Sequence, residues 1–493
     1  MRVTRRKQAT QARALVLQPL SCAVALMALL AGCAAGPDYK KPVTDMPVSW
    51  QVESPWRQST PNDSADKGPW WRQFGDPQLD TLMQQALVAS PTLAIASARL
   101  AQARAIVQVN SAALLPQVGL NNRDARLRIS ANRPLTNYNA ANFSTVQSDF
   151  QLSLTASYEL DLSGRVRRTI EGATASAEQS AADFQNTRLL VTTDLASAYV
   201  NLREVDAELD VLQRSIALQR RALDFVTSRH DLGATSGLEV AQQQALLDNT
   251  LTQVGTLQKQ RAQFEHAIAT LTGTAAPVFA ITAEVRALQP PAVPLGVPSD
   301  ILERRPDVAS AERAMAAANA QIGVARAAFY PSITLAPTYG VDSRMLSTLF
   351  DAPSLLWSIG LSATQTLFDG GRISANVDFA RAGYDGTVAT YRRVVLTAMQ
   401  EVEDGITGLA ALESASTQAQ TAVASARRVL DMATARYEGG ATSYLDVITA
   451  QQSLLTSERQ ATQLTGQRLL TSVFLVKALG GDWQQDGRVI GAK

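Results

Sequence analysis

Few side chains in this 493-residue sequence are placed for chemistry. A metal centre needs three or four clustered donors. His230 and His266 are the only histidines and fall on opposite arms of one helical hairpin, so they read as surface or packing residues. Cys22 and Cys33 are the only thiols, and Cys22 lies in a segment that reads as a removable leader, which leaves no disulfide framework and no thiol metal site. There is no Gly-rich phosphate loop and no G-x-S-x-G elbow. Arg304, Arg305 and Asp307 form a charged group that suits an ion pair or a helix start better than a substrate site. These residues predict neither an enzyme nor a cofactor. What remains is one lipidation candidate, Cys33, and the electrostatics of two Gly-rich turns.

Stepping outward from Cys33, Arg2, Arg5, Arg6, Lys7 and Arg13 precede the apolar run "SCAVALMALLAGC", too short to span a bilayer. The run ends in Leu30-Ala31-Gly32-Cys33, the pattern of a bacterial lipobox, so residues 1–32 read as a lipoprotein signal with Cys33 as the lipidated first residue. An ordinary signal with an incidental cysteine is the competing reading. Ala34 stands where an Asp usually marks inner-membrane retention, which favours the outer membrane.

The elements that follow come twice. "PTLAIASARLAQARAIVQVNSAALLPQVGL" from Pro91 aligns without gaps on "PDVASAERAMAAANAQIGVARAAFYPSITL" from Pro306, and "RHDLGATSGLEV" from Arg229 aligns on "RYEGGATSYLDV" from Arg436. Such self-similarity marks a duplicated unit. The second alignment has the shorter offset, so the first copy holds a longer loop around "SANRPLTNYNAANFSTV". Each copy begins with an Ala-rich helix, followed by two alternating segments at about 116–130 and 147–162, or 331–342 and 354–368. In "DFQLSLTASYELDLSG", Phe150, Leu152, Leu154, Ala156, Tyr158, Leu160 and Leu162 share one parity, and Ser, Thr, Gln and acidic residues take the other. Eight to ten alternating residues suit a tilted transmembrane strand, although Pro337 and Gln365 interrupt the apolar parity.

Pro-free helical hairpins follow at about 166–272, with its tip at 232–238, and at about 372–480, with its tip at 439–445. Their outgoing arms are each roughly 100 Å long at 1.5 Å per residue. The remaining chain divides into residues 33–89, an anchored segment and collar in which Trp70 and Trp71 pack on helices; a Pro-rich connector at 276–304; and a tail at 482–493. The two repeats therefore cover residues 90–275 and 305–481.

Four strands in lipid leave two open edges, and unpaired backbone groups in hydrocarbon cost several kcal/mol each. Barrels start at eight strands, so several copies are required. The apolar parity would then meet lipid, with Trp357 in an interfacial belt, and the small polar parity would line a passage. A soluble sandwich with one wet face is the alternative for the strands, and a coiled-coil envelope lipoprotein is the alternative for the whole. The charged fraction of 18% and net charge of +1 exclude a nucleic-acid binder, which needs a basic face.

At the tips, Ser236 with Glu239 and Ser443 with Asp446 have capping-box spacing, while Gly233 and Gly440 permit the left-handed turn after the outgoing helix.

The chain resembles the outer-membrane factors of tripartite efflux pumps, TolC-like and closest to the OprM-like lipoprotein branch. The resemblance rests on "GPDYKKP", "WWRQFGDPQLDTLMQQAL", "GVPSDILERRPDVASAE", "AFYPSITL", "LFDGGR" and "RYEGGATSYLDVITAQQSLL", and covers nearly all of the mature chain. It implies a mixed α and β fold in a homotrimer, with a 12-stranded barrel in outer-membrane lipid and a 12-helix periplasmic tunnel. The implied partners are a periplasmic adaptor and an inner-membrane transporter of the proton-driven resistance-nodulation-division type. The implied function is a gated exit channel for drugs and other small toxic compounds. An exit duct for type I protein secretion uses the same architecture.

By match to the family's motif, Tyr437, Leu445 and Asp446 line or brace a closed periplasmic aperture, where three copies of Asp446 would make a cation-selective ring. Gly233, Ala234, Thr235 and Ser236, with Gly440, Ala441, Thr442 and Ser443, would dock the adaptor. Thr449 and Gln452 stand where related members often carry an acidic residue and an arginine, so a salt-bridge lock there is not expected.

Overall fold

The computed structural model describes residues 36–40, 68–131, 145–288, 290 and 305–481. The leader at 1–32, Cys33, Arg304, most of the connector, the body of the longer first-copy loop and the tail at 482–493 lie outside the described residues. A 3-10 turn at Trp70–Phe74 leads to α1 (Pro77–Ala89), α2 (Pro91–Ser111), β1 (Gln117–Ile129), β2 (Thr145–Leu160), α3 (Arg165–Asp231) and α4 (Gly237–Leu271). The same order then recurs as α5 (Pro306–Ala327), β3 (Ser332–Ser343), β4 (Leu355–Thr364), α6 (Arg372–Glu438) and α7 (Tyr444–Ala478). Helices α3 and α6 have 67 residues each, and α4 and α7 have 35 each. Among the described residues no helix is long and apolar enough to cross a membrane.

Pro at the first helical position starts α1, α2 and α5, where a missing N–H costs nothing. The long helices start on aspartates. Asp161 accepts from the amides of Val166 and Arg167 at 3.0 and 2.9 Å, and Asp369 from those of Gly371 and Ile373 at 3.0 and 2.8 Å. Each carboxylate satisfies donors that a first helical turn leaves open.

The chain divides into two compact units. One contains Ala101–Glu178 and Glu312–Ala389, and with them all four strands. Its sheet is antiparallel in the order β1-β2-β3-β4. The register aligns Leu120, Leu154, Tyr339 and Trp357 across one face, and Leu152, Val341 and Leu355 in the next row. Gly119, Thr155, Thr338 and Ser358 align on the other face. The apolar face is bare: Val118 and Trp357 are 68% exposed, Ile359 is 72% and Leu361 is 66%. On the polar face Gly340 fits tightly, because a Cβ there would lie 2.3 Å from the carbonyl oxygen of Leu152.

Proline explains two departures from the expected strands. The β2–β3 pairing passes from Thr155↔Thr338 to Tyr158↔Leu335 without Ala156 and Ser157, since Pro337 has no N–H to give the ladder. Strand β4 ends at Thr364 rather than near 368. Thr364 pairs with Ser332, and the next residue of β3's side is Pro331, which offers no amide to Gln365. The side-chain amide of Gln365 instead donates to the carbonyl of Phe329 at 3.0 Å. Strand β2 stops at Leu160, two residues early, because Asp161 turns to cap α3.

The other unit contains Gln179–Ala311, Thr390–Lys493 and the segment around Trp70. Trp70 and Trp71 pack edge to face with centroids 6.0 Å apart, in a core with Leu79, Met83, Leu195, Tyr199, Ile268 and Val476. A buried polar chain borders this core. Asp76 caps α1 and accepts from the Tyr199 hydroxyl at 2.6 Å and from Arg286 at 2.7 Å, while Arg203 and Arg261 both bind Asp206, at 2.9 and 2.6 Å. Burial, followed by the bond to Asp76, pushes the Tyr199 phenol up to about 12, so it stays a donor. Arg305 is buried between Asp307 and Glu401, each at 2.6 Å, as expected of an ion pair.

Candidate functional site

The two hairpin tips are built alike. Gly233 and Gly440 take φ of +74° and +72°. Their amides donate to the carbonyls of His230 and Tyr437 at 2.8 and 3.0 Å, and the next amides, of Ala234 and Ala441, reach Arg229 and Arg436 at 2.8 Å. This paired closure satisfies the last carbonyls of the outgoing helices and requires a left-handed residue, which Gly supplies without a Cβ penalty.

Ser236 and Ser443 are the N-caps of α4 and α7, but neither side chain makes the capping bond expected of it. The neighbouring hydroxyls take the acids instead: Thr235 donates to Glu239 and Thr442 to Asp446. The amides of Glu239 and Asp446 fall back on the carbonyls of Ser236 and Ser443 at 3.2 Å. A threonine one residue before the cap can reach the carboxylate four residues on, so the box spacing is present while the box is not formed.

The tips differ in their cross-links. Tyr437 is buried, and its hydroxyl donates to Glu239 of the first hairpin at 2.6 Å. Its ring meets that of Tyr444 at 4.9 Å, and the Arg229 guanidinium lies 5.1 Å from its centroid. Burial, and then the Glu239 carboxylate accepting its hydroxyl, raise the Tyr437 phenol above its ordinary value. The phenol therefore remains a donor.

Behind this pair is a buried amide layer. Tyr444 donates to Gln243 at 2.8 Å, and the Gln243 amide reaches the Gln219 carbonyl at 3.0 Å and the Gln451 side chain at 3.4 Å. Val226, Leu246, Leu430, Val447 and Leu454 pack around the tips as an apolar sleeve.

Leu445 is 55% exposed at the start of α7, and Asp446 beside it is exposed with its own Thr442 as partner. Tyr437 points into the joint between hairpins, toward Glu239 and Tyr444. Gly233, Ala234 and Ser236 are exposed and Thr235 is half-buried. Gly440, Ala441 and Ser443 are exposed and Thr442 is half-buried. Sequence reading missed Glu239 as the acceptor of Tyr437, and also the Gln219, Gln243 and Gln451 layer. The available signal was glutamine among the apolar positions of both arms, where a coiled-coil core admits a polar residue only to fix register. Among the described residues no group of His, Cys, Asp and Glu could hold a metal. His230 contacts the Thr235 carbonyl at 3.0 Å, a turn-stabilising role.

The family model described as outer membrane efflux protein matches residues 82–274 and 297–481. The chain is 31% identical over 468 residues to the pyoverdine export outer membrane protein OpmQ of Pseudomonas aeruginosa, an alignment covering 94% of this chain and 97% of the relative. It is 30% identical over 457 residues to the cation efflux system protein CusC of Escherichia coli, covering 92% and 97%. The solved outer-membrane channel OprN superposes with a TM-score of 0.83 at 28% identity, covering 92% of this chain and all of that one.

Proposed function

The chain belongs to the outer membrane efflux protein family, and from that premise we propose that it is the gated exit channel through which a tripartite pump expels small toxic molecules. As a family member it is an outer-membrane efflux-pump component and not an enzyme. The observation that carries the channel reading is the sheet, which is apolar and bare on one face, small and polar on the other, and unpaired at β1 and β4 among the described residues. Three copies joined β4 to β1 close these edges into twelve strands, with the apolar face in lipid and the polar face around a passage.

The paired hairpins then supply twelve helices to a periplasmic tunnel. Cys33 carries the lipid anchor. The tips from Gly233 to Ser236 and Gly440 to Ser443 dock a periplasmic adaptor, which links the channel to an inner-membrane transporter of the resistance-nodulation-division type. Leu445 and Asp446 form the aperture: three exposed leucines make a dry constriction, and three carboxylates prefer cations. Tyr437 holds it shut by tying the second hairpin to Glu239 of the first. The cargo is small molecules, as the names of relatives that export pyoverdine or cations support.

Single-channel recording from the lipidated protein in planar bilayers tests this reading. Wild type should show low, cation-preferring conductance, and a Leu445→Ala, Asp446→Ala double variant should conduct about tenfold more with weaker selectivity. Equal conductance in the two would place the gate elsewhere. Inserted protein that passes no current in either form would overturn the channel.

A further inference from the structure

The segment that follows Cys33 is gripped by the unit that holds the sheet. Gly36, with φ of +107°, lies so close on α5 that a Cβ there would be 2.7 Å from the Cα of Gly323. One turn back on α5, the buried Asn319 donates its side-chain amide to the Pro37 carbonyl at 3.0 Å. Arg168, buried in the first turn of α3, donates to the Gly36 carbonyl at 3.4 Å and to the Asp38 carboxylate at 3.0 Å, while Glu171 accepts from its other arm at 2.8 Å. The two helices meet tightly beside this grip, since a Cβ at Gly172 of α3 would be 3.5 Å from the Cβ of Ala320 of α5.

The grip exists once in a duplicated frame. At the matching positions of the other copy, Ala375 stands for Arg168, Arg104 for Asn319 and Gln108 for Gly323. Ala375 has nothing to donate, and a side chain at the place of Gly323 would fill the space that Gly36 takes. Helix packing alone needs no buried arginine or asparagine here, and a buried donor costs free energy unless it finds an acceptor. Both find theirs on Gly36, Pro37 and Asp38.

We infer that Arg168, Asn319 and Gly323 form a receptor for the lipidated N-terminus, which seats Gly36 to Asp38 and so fixes where the acyl group joins the body. Cys33 stands three residues before Gly36, so chain length alone keeps it within about 11 Å of the seat. The seat lies at the end of the sheet from which α3 departs, with Arg168 eight residues beyond Leu160, the last residue of β2. A lead this short holds the acyl chains beside the strand ends at one rim of the barrel. The inference rests on the lipid anchor at Cys33 and on the channel reading.

Trypsin reads the seat directly. A protease needs several residues of extended chain around the bond it cuts, so cleavage between Lys40 and Lys41 requires the segment to leave the receptor first. The full chain, purified with its acyl group and held in nanodiscs, is digested briefly, and mass spectrometry follows the peptide that ends at Lys40. Gly36→Ala places a Cβ on a left-handed residue and against α5 while leaving the receptor itself unaltered, and it should release that peptide about tenfold faster than wild type. Arg168→Gln with Asn319→Ala should do the same from the other side of the contact, and Arg168→Lys should fall between, because it keeps the charge opposite Asp38. Equal rates from wild type and Gly36→Ala overturn the receptor. The mass of the peptide separates the two readings: an acylated Cys33 peptide released at equal rates refutes the receptor alone, and a peptide without acyl mass at Cys33 refutes the anchor and this role with it.

Discussion

At Gly233 and Gly440 the chain makes one turn twice, with φ within 2° and the same pair of closing amides, but the residues around the turns are not interchangeable. The first hairpin has His230 close to Gly237, whose absent side chain leaves the ring 3.7 Å from where a Cβ would lie. The corresponding positions of the second hairpin hold Tyr437 and Tyr444, whose rings meet at a 57° tilt and whose hydroxyls bond to Glu239 and Gln243. The comparison separates two jobs. Backbone closure is duplicated because both helices must reverse, whereas the cross-link exists once because it runs from the second hairpin to the first.

The largest test of that asymmetry removes one oxygen. A hydroxyl bonded to a carboxylate contributes about 1.5 to 3 kcal/mol, so Tyr437→Phe should shift the closed-to-open balance by about ten- to a hundredfold and raise single-channel conductance or open time accordingly. His230→Ala, at the matching position, should leave conductance unchanged; matching effects from both would erase the distinction between the tips.

Next in size is the shared part. Gly233→Ala and Gly440→Ala each place a Cβ on a left-handed residue, at a cost of about 1 to 2 kcal/mol. Helix melting in detergent should fall by the same few degrees for each, and a large difference between them would mean that the two closures are not equivalent.

The smallest effect concerns another residue without a counterpart. Glu204 of α3 lies against Gly466 of α7, and burial, with the nearby Glu208 carboxylate, pushes it up to about 7. The matching residue of α6 is Ala411. An unfolded chain loses the Glu204 proton at the ordinary carboxylate value, while the folded one keeps it until about 7, so stability falls as pH rises through that window. Glu204→Gln should melt like wild type at pH 4 and about 1 kcal/mol more stably at pH 8, a figure reduced for partial exposure. An unchanged pH slope in the variant would remove Glu204 as its source.

Much of this was legible because local rules decide it. The hairpin lengths follow from Pro-free stretches between Gly-rich turns, and the sheet's two faces follow from parity alone. What escaped was decided by partners distant in sequence. The end of β4 depends on Pro331 of the neighbouring strand, and the acceptor of Tyr437 lies 198 residues away. The missing capping box turned on a contest between adjacent hydroxyls, Thr235 against Ser236, that spacing cannot settle.

The strand order has a genetic consequence. If three copies close the barrel as proposed, a sheet whose edges are its first and last strands, β1 and β4, joins them head to tail, so that every seam needs an intact edge from each of two copies. One copy with a spoiled β4 leaves a gap that no other copy can fill. In a cell making equal amounts of sound and spoiled chains, about one ring in eight would be whole if three copies assemble at random. Such an allele would act dominantly, silencing most of the product of its healthy neighbour.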